Sequence, residues 1–279
     1  MSKRRDIEER IAALDDIHSI MQSMKNLAMI ETHKLARYHE TQQRVVESIG
    51  TALNEVRRHY AGDTGESKGI AVYLLFGSER GFCGAYNKQL LELLRQQTKQ
   101  APVIAVGARL SDAMQQRYPD AVYIAGAAVA DEVDAVLVRI FDALNQLRTT
   151  RGPLHLEVIH FQPDKHLPQC LPVLPPLPSV VNNKLAPVIN LPPQQLLAEL
   201  IEHYLFSVSH AWFFSSLIAE NQRRAQHLEQ AGHHLKQQLD KLAKKRNVLR
   251  QEEIIEEIEV ILLSSEALGQ PIAQKMEPL

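Results

Sequence analysis

Apolar side chains recur every three or four residues along the first 60 residues, which contain no proline and only one glycine, Gly50. They stand at Ile7, Ile11, Leu14, Ile17, Met21, Met24 and Ala28, and farther on at Leu35, Tyr38, Val45, Ile49, Leu53 and Val56. This spacing places them on one stripe of an α-helix. The pattern predicts a helix over 3–59, about 85 Å long. A helix of that length is too long for one compact domain to cover.

The period changes after residue 68. "IAVYLLF" and "VIAV" are short apolar runs rich in β-branched residues, which are typical of strands covered by helices on both faces. Helical patterns lie between and after these runs, around Leu90, Leu110 and Val136. The alternation predicts a small α/β domain over 68–162 with a mainly parallel sheet. In "LHLEVIHF" the residues alternate, which indicates a partly exposed strand with His155 and Glu157 on the same face.

Residues 163–193 contain nine of the 14 prolines, so we expect 163–192 to be an extended connection over the surface. A proline-rich ligand motif, "LPPLP", is the alternative interpretation of this segment. A second long helix is then predicted from 193 to 268, in which Leu228, Leu235, Leu242 and Leu249 repeat every seventh residue. This repeat is the pattern of a coiled coil.

Two long helices at opposite ends of one chain each need a partner for their apolar stripe, and antiparallel pairing with each other satisfies both. If their ends are flush, residue i faces roughly residue 276 − i, so Met24 would lie near Glu252 and Ile7 near Gly269. The predicted fold is therefore α/β plus a long antiparallel coiled coil, with a small Rossmann-like central domain. We divide the chain into an N-terminal coiled-coil helix (1–60), the α/β domain (68–162), the proline-rich connection (163–192) and a C-terminal coiled-coil helix (193–279).

Composition excludes several classes of protein. The formal net charge is −2 and the isoelectric point about 6.6, so no overall field attracts nucleic acid or anionic lipid. There is no apolar signal region and no run of 18 apolar residues, so we expect a cytoplasmic chain without direct lipid insertion. Cys83 and Cys170 form no Cys-x-x-Cys pair and suit a reducing compartment.

The stretch "FGSERGFCGAYNKQLLELL" resembles the strand, turn and helix with which many folds hold a phosphate. Its glycines, Gly77, Gly81 and Gly84, fit neither G-x-G-x-x-G nor G-x-x-x-x-G-K-[ST]. We therefore predict that they form a structural turn and that no cofactor binds there. His203 and His210 share a helical face but have no evident third ligand, so no metal site and no catalytic residue is predicted.

Three stretches together resemble the γ subunit of rotary F-type ATP synthases. "SERGFCGAYN" is similar to the family's strand-turn-helix signature, and "SIMQSMKNLA" to its N-terminal helix motif. "RNVLRQEEIIEEIEVI" matches its C-terminal pattern through Asn247, Arg250, Gln251, Ile254, Glu257 and Ile258. The chain departs from the family in lacking a Met- and Ala-rich stretch in the last helix, and in Ile255 where a Thr is common. These departures suggest a divergent, alternative or N-type branch.

The resemblance implies a non-catalytic central rotor that transmits torque between an ion-driven membrane ring and the α3β3 head. The implied partners are the α, β and ε subunits and the c-ring, at the cytoplasmic face of the membrane. The implied partner-binding residues are Met24, Lys25, Arg250, Gln251, Ile254 and Glu257. Two alternatives remain: a coiled-coil scaffold without a motor, and a Rossmann-like enzyme with a helical arm. The scaffold would not explain "SERGFCGAYN" and "RQEEI" in one chain, and the enzyme would need a nucleotide fingerprint and a catalytic set that the sequence does not show.

Overall fold

A computed structural model of the chain describes residues 3–60, 69–97, 101–163, 165, 167–173 and 186–268. Two long helices enclose an α/β region in sequence, as the periodicities predict. The elements in chain order are α1 (Lys3–Tyr60), β1 (Ile70–Phe76), α2 (Tyr86–Gln97), β2 (Val103–Val106), α3 (Ala108–Met114), β3 (Val122–Ile124), α4 (Val133–Arg151), β4 (Leu154–His160), β5 (Gln169–Pro172) and α5 (Pro193–Leu268). A 3₁₀ turn, Ala130–Glu132, precedes α4.

The five strands form one sheet in the order β3-β2-β1-β4-β5. β1 pairs in parallel with both β2 and β4, β2 pairs in parallel with β3, and only β5 is antiparallel. From β1 the chain adds β2 and β3 on one side of the sheet and then crosses to the other side of β1 to form β4. The carboxyl end of β1 therefore lies at the topological switch point, where doubly wound folds bind ligands. The turn that follows β1 is therefore the place to look for a site.

Successive residues of β1 point to opposite faces of the sheet and enter two separate cores. Leu74 and Phe76 pack in a cluster with α1, α4 and α5, whereas Tyr73 and Leu75 pack with α2 and α3. Large, fully buried members of these clusters include Leu35, Leu53, Tyr86, Leu90, Leu94, Ile104, Leu110, Met114 and Phe161. The continuous apolar run of β1 is thus explained by burial on both faces.

The sheet differs from the sequence-based expectation in three places. β3 was not predicted, because its three residues are too few to show a period. Gln169–Pro172 form an edge strand inside the proline-rich segment that we expected to be only a surface connection. Proline is tolerated there because an edge strand leaves one row of backbone groups unpaired. The second half of β4 is buried rather than partly exposed, because Val158 and Ile159 pack into the cores on opposite faces of the sheet.

The chain separates into two compact units, Met1–Ser23 with Glu229–Leu279 and Met24–Leu228. We call them the two-helix unit and the α/β unit. This division cuts both long helices and does not correspond to the four sequence segments, which stay a prediction. In the two-helix unit most half-buried positions of α5 follow a heptad, at 232, 235, 239, 242, 246, 249 and 253, and positions 231 and 243 are half-buried as well. On α1, His18 takes the half-buried position and Ile17 is 47% exposed, contrary to the predicted stripe.

The flush register of the two long helices is wrong. In the two-helix unit Arg4 Nη1 lies 2.9 Å from Glu253 Oε2. In the α/β unit the rings of Tyr38 and Phe214 have centroids 6.0 Å apart. The residue numbers of each facing pair add to roughly 255, whereas the flush register requires 276. α5 is therefore shifted along α1 by about three heptads relative to that register. The expected neighbour of Ile7, Gly269, lies outside the described residues.

The cause of the shift is the unequal length of the helices. α5 has 76 residues and α1 has 58. The end of α1 lies beside the segment that leads into α5, since the Tyr60 hydroxyl donates to the Pro187 carbonyl at 2.8 Å. The additional length of α5 therefore lies at its carboxyl end, beyond Glu253. Apolar side chains are exposed there, including Ile258 at 50% and Ile261 at 64%.

Leu242→Ala is expected to lower the free energy of unfolding by about 1–2 kcal/mol, because Leu242 is half-buried at a heptad position. Full burial would give about 2–5 kcal/mol. Val248→Ala is the matched control, since Val248 is 52% exposed on the same helix and should change stability little. Denaturant unfolding of the isolated chain measures both. Equal effects of the two substitutions would show that Leu242 does not lie in the coiled-coil interface.

Candidate functional site

The turn after β1 depends on glycine at two positions. A Cβ on Gly77 would lie 2.3 Å from the Cβ of Leu110, so only glycine lets α3 approach the end of β1. Gly84 has φ +58°, a left-handed conformation that glycine adopts without strain. Gly81 has room for a side chain, whose nearest neighbour would be the Arg109 guanidinium at 4.0 Å. The turn is thus shaped chiefly by Gly77 and Gly84.

Phe82 occupies the tip of this turn in a strained conformation. Its φ is +65°, which a residue with a Cβ seldom adopts, and its side chain is 55% exposed. The base of the turn is rigid, because Asn87 accepts from the Ser78 amide at 3.0 Å and donates to the Ser78 hydroxyl at 2.9 Å. A rigid base therefore presents an aromatic side chain at the tip.

Glu79 places a carboxylate where related folds hold a ligand phosphate. Its Oε2 accepts hydrogen bonds from the amide of Ala108 at 2.8 Å and from the amide of Gly126 at 2.7 Å. These amides follow β2 and β3, so they lie at the carboxyl edge of the parallel sheet. The amides that could receive an external anion there are already satisfied by the chain itself.

Glu220 of α5 brings a second carboxylate to the same turn. It accepts from the amide of Glu79 at 3.3 Å and from the amide of Arg80 at 3.2 Å. Its side chain is almost fully buried beside Arg224, one helical turn away, with which it forms an ion pair. Burial raises the pKa of the Glu220 carboxyl, and the Arg224 charge and the two amides oppose that rise.

Arg224 is held by four acceptors. Its Nε donates to the Gly81 carbonyl at 3.1 Å and its Nη1 to Asn221 Oδ1 at 2.6 Å. Nη2 donates to Glu220 and contacts Cys83 Sγ at 3.5 Å. A buried guanidinium with these four partners holds α5 to the turn.

Neither cysteine is poised as a nucleophile. Both are free thiols. Burial, reinforced by the Glu220 charge, raises the pKa of Cys83 to about 12. Burial and the hydrogen bond to Glu157 likewise raise the pKa of Cys170 to about 12. Both side chains are therefore protonated at neutral pH and cannot act as thiolates.

The histidines do not form a metal site in the described part of the chain. His210 lies between two acceptors, Asp134 Oδ1 at 2.8 Å from Nε2 and the Phe206 carbonyl at 2.9 Å from Nδ1. His203 is exposed. No group of three or more His, Cys, Asp or Glu side chains able to hold a metal ion occurs among the described residues.

One cavity of the α/β unit is lined by Ser215 and His160, which are not arranged as a nucleophile with its base. It measures about 630 Å³ and lies among α1, α5 and the residues after β4. Burial lowers the pKa of His160, which lines it, to about 4, so this ring is neutral. Ser215 lines it too, but its hydroxyl donates to the Phe161 carbonyl at 2.9 Å and not to a base. The cavity thus presents no base-activated nucleophile.

The residues proposed to bind partners fall into two groups. Arg250, Gln251, Ile254 and Glu257 are exposed on α5 in the two-helix unit, and Ile254 is 44% exposed. Arg250, Ile254 and Glu257 follow one face, since they are four and three residues apart. Met24 and Lys25 are half-buried on α1 in the α/β unit. The structure therefore describes one continuous exposed surface on α5 and a separate pair on α1.

Among the residues that the structure describes, no helix has the length and apolar character needed to span a bilayer.

Comparison with known proteins decides the family. A family model described as ATP synthase, which represents the γ subunit, matches residues 3–268. The chain belongs to this family. The γ chain of Geotalea daltonii is 21% identical over 96% of this chain and 99% of its own length. The γ chain of Ruminococcus albus is 20% identical over 95% of this chain and 98% of its own length. The match to the Mesorhizobium japonicum γ chain is 23% identical and spans 56% of each protein.

Solved structures show the same fold. A chain of the Euglena gracilis mitochondrial ATP synthase, from a structure described as OSCP/F1/c-ring, has a TM-score of 0.61 and 14% identity, and covers 99% of this chain and 98% of its own. A chain from the rotor of the same enzyme has a TM-score of 0.59 and 14% identity, and the match covers 90% of this chain and 98% of that one. The sequence-based resemblance to the γ family and the predicted fold class are confirmed. Family and fold give the chain a central-stalk role in an enzyme complex.

Proposed function

We propose that this γ-family chain is the torque-carrying rotor of a rotary ATP synthase and has no catalytic activity by itself. The observation that carries the proposal is the carboxyl end of α5, which extends beyond Glu253 with exposed apolar side chains. Ile254, Ile258 and Ile261 are 44%, 50% and 64% exposed. An exposed apolar surface of this kind marks an interaction site. A ring of surrounding subunits would cover it on every side.

We propose the α and β subunits as that ring, with ε and the c-ring at the opposite end of the stalk. Support comes from the similar chain in the Euglena structure, which contains F1 and the c-ring. The chain would then lie in the F1 sector of a peripheral membrane complex, on the cytoplasmic face. The near-neutral net charge of −2 fits protein partners better than lipid or nucleic acid.

Arg250 and Gln251 are proposed to contact a β subunit and to serve coupling rather than folding. Both are long, polar and exposed, and Arg250 directly follows the heptad position 249. Long polar side chains at such a place extend outward into a partner. A single exposed polar contact contributes only about 1 kcal/mol, which lets a rotor exchange partners as it turns.

Arg250→Ala combined with Gln251→Ala should leave the melting temperature of the isolated chain nearly unchanged. In the assembled complex the same double variant should lower ATP turnover or ion-driven synthesis. Lys236→Ala with Gln237→Ala is the matched control, because this pair is also exposed on α5 in the two-helix unit. Unfolding of the isolated double variant, or an assembled motor as active as the control, would refute a coupling contact at 250 and 251.

A further inference from the structure

Five polar side chains are buried on one short stretch of α5. Ser215, Ser216, Glu220, Asn221 and Arg224 are each at most 4% exposed. Two of them carry opposite charges, and burying charges costs free energy that a well-packed apolar pair would not cost. Simple packing of α5 on the sheet does not require these groups. Their contacts with the rest of the α/β unit give the reason for them.

The contacts run from α5 to the backbone of the turn after β1. Glu220 accepts from the Glu79 and Arg80 amides at 3.3 and 3.2 Å, and Arg224 donates to the Gly81 carbonyl at 3.1 Å. Three consecutive residues of the turn are thus held by two charged side chains of one helix. Charge-assisted hydrogen bonds in a buried setting are directional and strong.

The same turn is also hydrogen-bonded to the residues that follow the neighbouring strands. The Glu79 carboxylate accepts from the amides of Ala108 and Gly126, which follow β2 and β3. A chain of hydrogen bonds therefore links α5, the turn and the carboxyl ends of the strands. Apolar packing resists separation of two surfaces but is non-directional and resists sliding poorly. Hydrogen bonds of fixed direction resist sliding and rotation.

We propose that Glu220 and Arg224 form a torsional clamp that prevents the α/β layer, by which we mean the sheet with α2, α3 and α4, from slipping around α5 under load. The proposal rests on the proposed rotor function, in which the layer lies toward the membrane ring and α5 extends toward the catalytic head. Both residues are positioning residues, since they act through the turn backbone and touch no substrate. Without the clamp, torque applied to the layer reaches α5 incompletely.

The test exchanges the two charges in the assembled complex, as Glu220→Arg with Arg224→Glu. The exchanged pair can still form an ion pair, but residue 220 can no longer accept from the turn amides. Glu40→Arg with Arg44→Glu is the matched control, because this pair has the same order and spacing but is exposed. A role as an ion pair alone predicts that both exchanges are tolerated.

The clamp predicts that the amides of Glu79 and Arg80 exchange hydrogen at least about tenfold faster in the 220/224 variant than in the control. ATP hydrolysis by the complex should stay within about twofold of wild type, while ions pumped per ATP fall several-fold. Unchanged amide exchange would overturn the proposal. So would hydrolysis and pumping that fall in parallel with the amount of assembled complex, since that is the result of a merely structural role.

Glu220→Gln keeps the proposal testable if the exchanged variant does not assemble. It retains an acceptor oxygen without the charge, so amide exchange should rise less and pumping per ATP should fall less, in the same proportion. A Glu220→Gln complex with wild-type coupling but faster amide exchange would contradict the clamp. Failure of the wild-type chain to assemble with α and β subunits would instead overturn the rotor function, while the exchange measurement on the isolated chain would still test the contacts.

Discussion

Gly107→Ala is expected to lower the free energy of unfolding by at least about 3 kcal/mol. Gly107 follows β2 with φ +118°, a backbone conformation that residues with a Cβ rarely adopt. An added Cβ would also lie 2.8 Å from the Ser78 carbonyl oxygen and 2.9 Å from the carbonyl carbon and oxygen of Gly77. These are backbone atoms of the turn after β1, so they cannot move aside as a flexible side chain would.

Gly152→Ala is the control that separates the two causes. Gly152 ends α4 with φ +91°, but apart from its chain neighbours no atom of the residues that the structure describes lies within 4 Å of the Cβ it would gain. This substitution introduces only backbone strain, about 1–2 kcal/mol. Denaturant unfolding of both variants measures the difference. Equal destabilisation would show that the close approach of β2 to the turn does not contribute, and that the turn is looser than the structure indicates.

Glu79→Ala is expected to cost about 2–4 kcal/mol of stability, because it leaves the two partly buried amides of Ala108 and Gly126 without their acceptor. Acetate should restore part of this loss by placing a carboxylate in the space that the side chain vacates. The wild-type chain should show no such gain, since its amides are already satisfied. Thermal unfolding in acetate and in chloride of equal ionic strength provides the measurement.

Glu79→Gln refines the same experiment. The amide oxygen still accepts hydrogen bonds but carries no charge, so its stability should lie between those of wild type and Glu79→Ala. Acetate should not stabilise it, because no space is vacated. If acetate stabilises all three proteins equally, the effect is a general one of the salt, and Glu79 does not serve as an internal anion.

The long helices and the central strands could be predicted because their signals are local. A stripe repeating every three or four residues indicates a helix, and "IAVYLLF" indicates a strand buried on both faces. The helix register could not be predicted in this way, since a heptad stripe looks the same after any shift of seven residues. β5 was missed because four strand residues lie among prolines. Those strand residues are recognisable only through their pairing with β4.

The candidate site was predictable only in outline. The glycine spacing of the turn excludes the known phosphate templates, but it does not reveal the Glu79 carboxylate that satisfies the amides instead. The partnership of Glu220 with the turn joins residues 141 positions apart in the sequence, so no periodicity contains it. The exposed residues of α5 were selected through resemblance to the γ family. Their role stays a prediction that the structure makes testable by showing them exposed.

The most direct test of the rotor function is observation of rotation. Val138 is 60% exposed on α4, so Val138→Cys provides an attachment point for a bead, while Cys83 is buried and protonated. The labelled chain is assembled with α and β subunits fixed to a surface, and ATP is added. If the chain is the rotor, we expect sustained rotation of the bead in one direction that stops when ATP is exhausted. A complex that hydrolyses ATP at full rate while the bead stays fixed would contradict it.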